Sequence, residues 1–354
     1  MLIHIRSHGV KSSLSWSQVN ENYMLPEIQF MYNKILITGG SGFIGTNLID
    51  FYLTEGIEVL NLDIKPPRND EHCTYWRCVD IENYNLLLKE VNNFKPDCVL
   101  NMAAKTDLRG KTISDYSTNT SGVQNIIKVC SSVTTVKRVI FASSMLVCRA
   151  GYIPINDDDF CPPNLYGESK VIGEKLIRTS DANSRFEWVI VRPTSIWGPW
   201  FGPTYRSFFE LILKGKYFNF TGKMSEKTYG YIGNIVYQIN QILNSDETPG
   251  RTYYLGDYES TKVDEWAREI SAEVNKEILT IPRPIVWLAA KIGDILQEIG
   301  IKFPMSSFRF KNMTTDNVIP LEETRKIAPL TIFDRNDGNR RTIFWMKTHY
   351  LKNK

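Results

Sequence analysis

The sequence predicts an α/β protein built on a doubly wound parallel sheet, followed by a smaller C-terminal α/β cap. Three observations predict this fold. Short apolar runs at Lys34–Thr38, Ile57–Leu62, Asp97–Met102, Lys137–Ala142 and Phe186–Arg192 are too short for helices and read as buried strands. Longer stretches with helical apolar spacing separate them, at Asn47–Leu53, Ile81–Asn93, Ser114–Ser132 and Leu165–Ser180. Strands alternating with long crossovers make a parallel sheet covered on both faces. Beyond Trp197-Gly198-Pro199 the texture changes to aromatics, glycines and short mixed elements with no fixed repeat. That region reads as the cap, with a return to the main sheet near Thr252–Leu255. The expected division is a leader over residues 1–30, a sheet domain over 31–200, and a region over 201–350 that is mostly cap.

The first strand leads straight into glycines. Gly39, Gly42 and Gly45 stand at three-residue spacing, and Gly40, Gly42 and Gly45 also satisfy G-x-G-x-x-G. Strand, glycine turn and helix in that order form the context in which this pattern holds a dinucleotide. The turn needs a residue that accepts positive φ. A pyrophosphate reaches the backbone only where no Cβ blocks it, and the helix N-terminus offers it free N–H groups. The next strand runs into Asp63, about 20 residues past the glycines, where a ribose 2′-hydroxyl acceptor is expected. An acid there repels a 2′-phosphate, so the cofactor reads as NAD rather than NADP. The sheet is therefore of Rossmann type, with ligands at the carboxyl ends of its strands.

The bulk numbers narrow the function. A hydrophobic content of 42% with 23% charged residues is ordinary for a globular enzyme. The net charge of +3 comes with no basic block, so no nucleic-acid partner is expected. The six cysteines form no C-x-x-C pair and have no histidine at zinc spacing. They read as free thiols of a reducing compartment, the cytoplasm, and no metal site is expected. No apolar run reaches the ~18 residues of a membrane span. Pro284–Ile301 comes nearest, and Lys291, Asp294, Gln297 and Glu298 interrupt it. Residues 1–30 are polar and serine-rich without a signal-peptide core. They are expected to be disordered, or to lie upstream of a start at Met31.

Tyr166 and Lys170 are four apart in a helical stretch and share one face. A phenol near pKa 10 is a poor base at neutral pH, and a neighbouring ammonium favours its ionised form. Ser144, at a strand end, is placed to hydrogen-bond a substrate oxygen. Together they make a proton relay for an alcohol whose hydride passes to NAD.

Five stretches carry a resemblance: Thr38-Gly39-Gly40-Ser41-Gly42-Phe43-Ile44-Gly45, Asn101-Met102-Ala103-Ala104, Phe141-Ala142-Ser143-Ser144, Tyr166-Gly167-Glu168-Ser169-Lys170, and Arg192-Pro193-Thr194-Ser195-Ile196-Trp197-Gly198-Pro199. The chain resembles the extended short-chain dehydrogenase/reductase superfamily and, within it, the NAD-dependent epimerase/dehydratase branch, over roughly residues 33–350. The resemblance implies roles. Gly39, Gly42, Phe43, Ile44 and Gly45 would hold the pyrophosphate, Asp63 the adenosine ribose, and Asp80 with Ile81 the adenine. Ala103 and Ala104 would line the dinucleotide. Ser144, Tyr166 and Lys170 would be the catalytic triad, with Tyr166 and Lys170 also against the cofactor and Pro193 behind the nicotinamide. Asn119 lies in the helix that supports this site. The family's cap binds a nucleotide-sugar, and by position Asn164, Tyr205, Arg206 and Tyr229 are candidates to touch it, Arg206 at a phosphate.

Departures from the family pattern choose among reactions. The 4,6-dehydratases carry an Asp-Glu pair just after the catalytic hydroxyl, and decarboxylating relatives also use an acid there. Here Met145-Leu146 follows Ser144, and neither can transfer a proton. A nucleotide-sugar 4-epimerase is the leading expectation. Reduction or oxidation at a 4-keto sugar is the alternative. Where the family usually has Tyr-Gly, this chain has Cys148-Arg149. Trp287–Ile301 and Met305–Lys311 also resemble 3β-hydroxysteroid and dihydroflavonol-type reductases, which keeps a hydrophobic alcohol as substrate in view. A non-catalytic NAD-binding protein would have lost the triad, which is intact. The apolar faces of Ser114–Ser132 and Leu165–Ser180 permit a homodimer through a four-helix bundle.

Overall fold

The computed structural model describes residues 30–180, 185–301, 303 and 305–351. The leader expectation over residues 1–30 therefore lies, except for Phe30, outside the described residues.

Strand β1 (Lys34–Thr38) sits near the middle of the sheet. Its side chains alternate across the sheet, so Ile35 and Ile37 join one apolar cluster and Leu36 the other. Helix α1 (Phe43–Thr54) follows, starting four residues before its apolar spacing becomes visible, because Gly42 is its N-cap. Then come β2 (Glu58–Asp63), β3 (Trp76–Cys78), α2 (Tyr84–Phe94), β4 (Cys98–Asn101), α3 (Val123–Ser132), β5 (Arg138–Ala142), α4 (Leu165–Thr179) and β6 (Glu187–Pro193). The later elements are β7 (Ser195–Trp197), α5 (Pro203–Leu213), β8 (Phe218–Phe220), β9 (Glu226–Lys227), β10 (Tyr229–Tyr231), α6 (Ile232–Leu243), β11 (Thr252–Leu255), β12 (Thr261–Lys262), α7 (Val263–Ala272), β13 (Leu279–Ile281), α8 (Arg283–Glu298), α9 (Ser307–Thr314), α10 (Glu322–Ile327) and α11 (Arg335–Trp345).

Seven strands form one sheet in the order β11-β6-β5-β4-β1-β2-β3, and every neighbouring pair is parallel. The winding direction reverses between β1 and β4. The two flanking crossovers leave a crevice there, above the carboxyl ends of the strands. Helices α2, α3 and α4 cover one face; α1 and α6 cover the other. Three two-stranded ribbons, β7 with β10, β8 with β13 and β9 with β12, lie outside the main sheet, on the side where the cap is expected. Aromatic contacts knit that side together: the Trp197 ring lies 4.9 Å from Trp266, 5.0 Å from Tyr231 and 5.7 Å from Phe209.

The predicted helix over Ser114–Ser132 is broken. It begins as a 3₁₀ turn (Ile113–Tyr116), passes through one π turn (Thr118–Gly122), and becomes α-helical only at Val123. Asn119 explains the break. The π turn buries this side chain, which accepts from the Lys105 N–H (3.0 Å) and donates to the Lys105 carbonyl (3.0 Å) and to Ser169 Oγ (2.9 Å). One wide turn thereby latches the loop after β4 to the helix carrying Tyr166. Such turns gather at functional sites.

Candidate active site

The crevice at the β1/β4 switch point is a groove of about 820 Å³. Its lining includes Gly39, Gly42, Phe43, Ile44, Gly45, Asp63, Asp80, Ile81, Ala103 and Ala104. The structure thus brings together all of the sequence-predicted dinucleotide contacts except Tyr166, Lys170 and Pro193. Gly39 takes φ +69°, and a Cβ there would stand 2.6 Å from the Ala103 backbone. The turn and the end of β4 therefore touch through a hydrogen atom's width. Helix α1 has no side-chain cap and no acid in its first turn, so its leading N–H groups are presented to an anion. A cradle of this kind fits a pyrophosphate. Gly42 has ordinary φ, and an added Cβ would meet only the Gly39 carbonyl oxygen, at 3.0 Å. The Gly42→Ala variant is therefore expected to fold but to lose dinucleotide affinity at least about tenfold, ~1.4 kcal/mol. Isothermal titration beside a melting curve would check both halves.

Asp63 is tied into this cradle. One carboxylate oxygen accepts from the Ser41 N–H (3.1 Å) and the other from the Lys65 N–H (2.9 Å). Burial raises its pKa, against the pull of these two bonds and of Lys65 and Arg68. Arg68 was not visible from the sequence as a site residue. Its Nε donates to the Ser41 carbonyl (3.0 Å) and its Nη1 to the Trp200 carbonyl (2.7 Å), joining the glycine turn to the chain that enters the cap.

Strand β5 ends at Ala142, which lines the groove, and Ser143 and Ser144 follow it. Ser144 Oγ accepts from the Leu146 N–H (3.1 Å), capping a short turn, and the hydroxyl lies near enough to the Tyr166 phenol to lower its pKa. Helix α4 presents Tyr166 and Lys170 one turn apart. Its N-cap is Asn164, whose Oδ1 accepts from the Gly167 N–H at 2.9 Å. Burial raises the Tyr166 phenol above its ordinary value; the Ser144 hydroxyl lowers it and Tyr116 raises it further. The lowering expected from the Lys170 ammonium is not found: burial sets the direction, and Lys170 is not among the groups that act on the phenol. Lys170 Nζ donates to the Ala142 carbonyl at 2.8 Å, and Ala142 lines the groove. Burial lowers this ammonium to about 8, with the Glu174 carboxylate opposing.

The sign of that shift makes a prediction. Below about pH 8 Lys170 is protonated in both folded and unfolded chains, and burial of its charge lowers stability. Between about 8 and the ordinary lysine value near 10.4 the unfolded chain binds more protons, so stability rises with pH. Relative to Lys170→Met, the wild type should therefore gain stability between pH 7.5 and pH 9.5, read as urea midpoints. A difference that does not change with pH contradicts this.

Beneath the triad lies a charged cluster that the sequence reading did not single out. Glu174 and Arg192 are both buried; Arg192 Nε and Nη2 donate to the two Glu174 oxygens at 2.9 and 2.7 Å. Ser143 Oγ donates to the same carboxylate at 2.5 Å. Arg192 also reaches the Tyr254 hydroxyl (3.1 Å) and the Asp157 carbonyl (2.6 Å). The available signal was Glu174 four residues after Lys170, on the same helix face.

The cap candidates separate. Tyr205 lines the groove and donates to Ser195 Oγ at 2.7 Å. Tyr229 is buried, edge-on to Tyr205 and 4.8 Å from the Trp266 ring. Arg206 pairs with Glu210 (3.3 Å) and lies 4.0 Å over the Tyr350 ring, on the side of Arg68. Pro193 ends β6, where it pairs with Leu255 of β11.

With fold and site in view, comparison with known proteins defines the class. Residues 35–256 match the model of the NAD dependent epimerase/dehydratase family, and the chain belongs to that family. One relative is the 3-beta-hydroxysteroid dehydrogenase of Mycolicibacterium neoaurum, 26% identical, with 72% of this chain and 74% of that protein covered. Another is the N-acetyl-alpha-D-glucosaminyl-diphospho-ditrans,octacis-undecaprenol 4-epimerase of Escherichia coli O157:H7, 26% identical, with 91% and 98% covered. Among solved structures, the Bordetella bronchiseptica enzyme WbmG in complex with NAD and UDP superposes with TM-score 0.68 at 20% identity, covering 92% of this chain and 97% of that one. The fold is thereby that of the extended short-chain enzymes, and the cradle described above fits the family's NAD.

Proposed function

We propose that the chain is an NAD-dependent nucleotide-sugar 4-epimerase of the cytoplasm. One observation carries the reading. Lys170 Nζ bonds the carbonyl of groove-lining Ala142, Tyr166 stands one turn before Lys170 on α4, and the turn that follows Ser144 holds Met145 and Leu146 in place of a proton-transferring acid. The family's oxidation step is supported, and its elimination step lacks a residue to drive it. When bound, NAD supplies the acceptor and donor of hydride. Gly39, Gly42, Phe43, Ile44 and Gly45 hold its pyrophosphate, Asp63 its adenosine ribose, and Asp80 with Ile81 its adenine. Tyr166 takes the proton from the sugar's C4 hydroxyl at its phenolic oxygen and later returns it. Ser144 orients that hydroxyl, and the Lys170 ammonium keeps positive charge near the phenol as it ionises. Tyr205, from the cap wall, is placed to face the substrate.

The test is incubation of the purified chain with UDP-, GDP- and dTDP-sugars, following inversion at C4 by NMR. Inversion without net change in NADH supports the reading; net reduction of a 4-keto sugar would make it a reductase. The steroid dehydrogenase relative motivates one second reading, oxidation of a hydrophobic alcohol. Turnover of a sterol with none of the sugars would establish that reading instead. Pairing of two copies through 114–132 and 165–180 belongs to the same proposal and is read by light scattering.

A further inference from the structure

We propose that helices α8 and α9 form a docking face for an anionic lipid bilayer, whichever reaction the site performs. Helix α8 is amphipathic the wrong way round for water. It buries Val286, Ala290 and Gly293 and exposes Ile285, Leu288, Ile292, Ile295 and Ile299, spaced 3, 4, 3 and 4 residues apart. That spacing makes one stripe along the helix, opposite the packed face. Ile295 is 63% exposed and Ile299, at the C-cap, 67%. The small residues inside have a cause: a Cβ on Gly293 would stand 1.8 Å from the Met305 carbonyl oxygen, so the returning chain crosses the helix where only glycine fits. The return places Phe308, 77% exposed, on the first turn of α9. A contiguous apolar face of this length marks an interaction site.

Charge identifies the occupant. Arg283, Lys291, Arg309 and Lys311 are exposed on these two helices, against the acids Asp294 and Glu298. Asp294 accepts from the Ser307 N–H at 2.9 Å, so its charge serves the start of α9. Lys291 lies over the half-exposed Trp287 ring. Bulky aliphatics in a stripe, a flanking tryptophan and a basic excess are the makings of a helix that lies in a lipid headgroup layer. Among the described residues no helix is long and apolar enough to cross a membrane, so α8 rests on the surface. The face also adjoins the chemistry. Just past α9, Asn317 Nδ2 lies 3.8 Å from Met145 Sδ, beside Ser144.

Flotation of the full chain with phosphatidylcholine vesicles, with and without phosphatidylglycerol, tests this. Binding should be at least about tenfold stronger to the anionic vesicles and should weaken with added salt. The variant Ile292→Glu/Ile295→Glu, whose positions are exposed, should lose binding at least tenfold while keeping its circular dichroism and NAD affinity. Lys291→Glu/Lys311→Glu should lose the preference for anionic lipid. No flotation with either vesicle, or equal flotation of wild type and Ile292→Glu/Ile295→Glu, overturns the proposal. So does a wild type that ignores vesicles and self-associates through the stripe, shown by the glutamate variant lowering its mass in light scattering.

Discussion

The Tyr166→Phe variant is expected to lose turnover by roughly 10²–10⁴, the usual contribution of a positioned proton-transfer group. The phenol is buried and carried one helical turn before Lys170. Phe keeps the ring and its 6.2 Å contact with the Tyr116 ring, so packing is preserved. Only the oxygen proposed to exchange the substrate's proton is removed. NAD affinity should change little, because the groove that holds the dinucleotide is lined by other residues. Rapid-quench turnover together with titration of NAD separates the two effects. Retention of wild-type kcat would take Tyr166 out of the proposed mechanism.

The second large effect concerns stability. Arg192→Met is expected to destabilise the fold by about 3 kcal/mol, since it takes two short bonds from the buried Glu174 carboxylate and leaves it only Arg178 at 3.4 Å and the Ser143 hydroxyl. The partner is fixed by two short bonds, and neither side chain has water to turn to. Replacing both, as Glu174→Leu/Arg192→Met, should recover much of that loss, because a buried ion pair exchanged for apolar side chains of similar volume is often neutral. Urea unfolding of the wild type, the single variant and the double variant forms the cycle. A double variant no more stable than the single one would mean that the links to Ser143, Tyr254 and the Asp157 carbonyl matter more than the pair itself.

How far the sequence carried follows from what kind of signal each part leaves. The strands around the switch point and the glycine turn were legible because periodicity and glycine spacing are local. The residues expected at the pyrophosphate and ribose sit near strand ends and line one groove, and Asp80 with Ile81, expected only through the family resemblance, lines it too. What escaped was long-range. The π turn at Asn119 breaks a helix whose apolar spacing continues through it, and its cause is a backbone 14 residues away. The Glu174–Arg192 pair joins α4 to β6 through a contact that no spacing rule reports. The raised Tyr166 phenol depends on burial, and a Tyr-x-x-x-Lys pattern shows the lysine but not the wall around the ring. Helix α8 shows another limit. Its apolar spacing was plain, yet spacing alone does not say which side faces inward.

Arg68 has a further consequence. Its guanidinium is fastened to two carbonyls 159 positions apart along the chain, one in the glycine turn and one at the threshold of the cap. Arg68 also lines the groove, so an occupant lying against it would meet this doubly tied side chain on its way out. Such a clasp governs how long an occupant stays more than how tightly it is held. That would suit the proposed 4-epimerase, which must hand back to each molecule the very hydrogen it removed, since a redox partner that wandered off midway would strand the half-finished product.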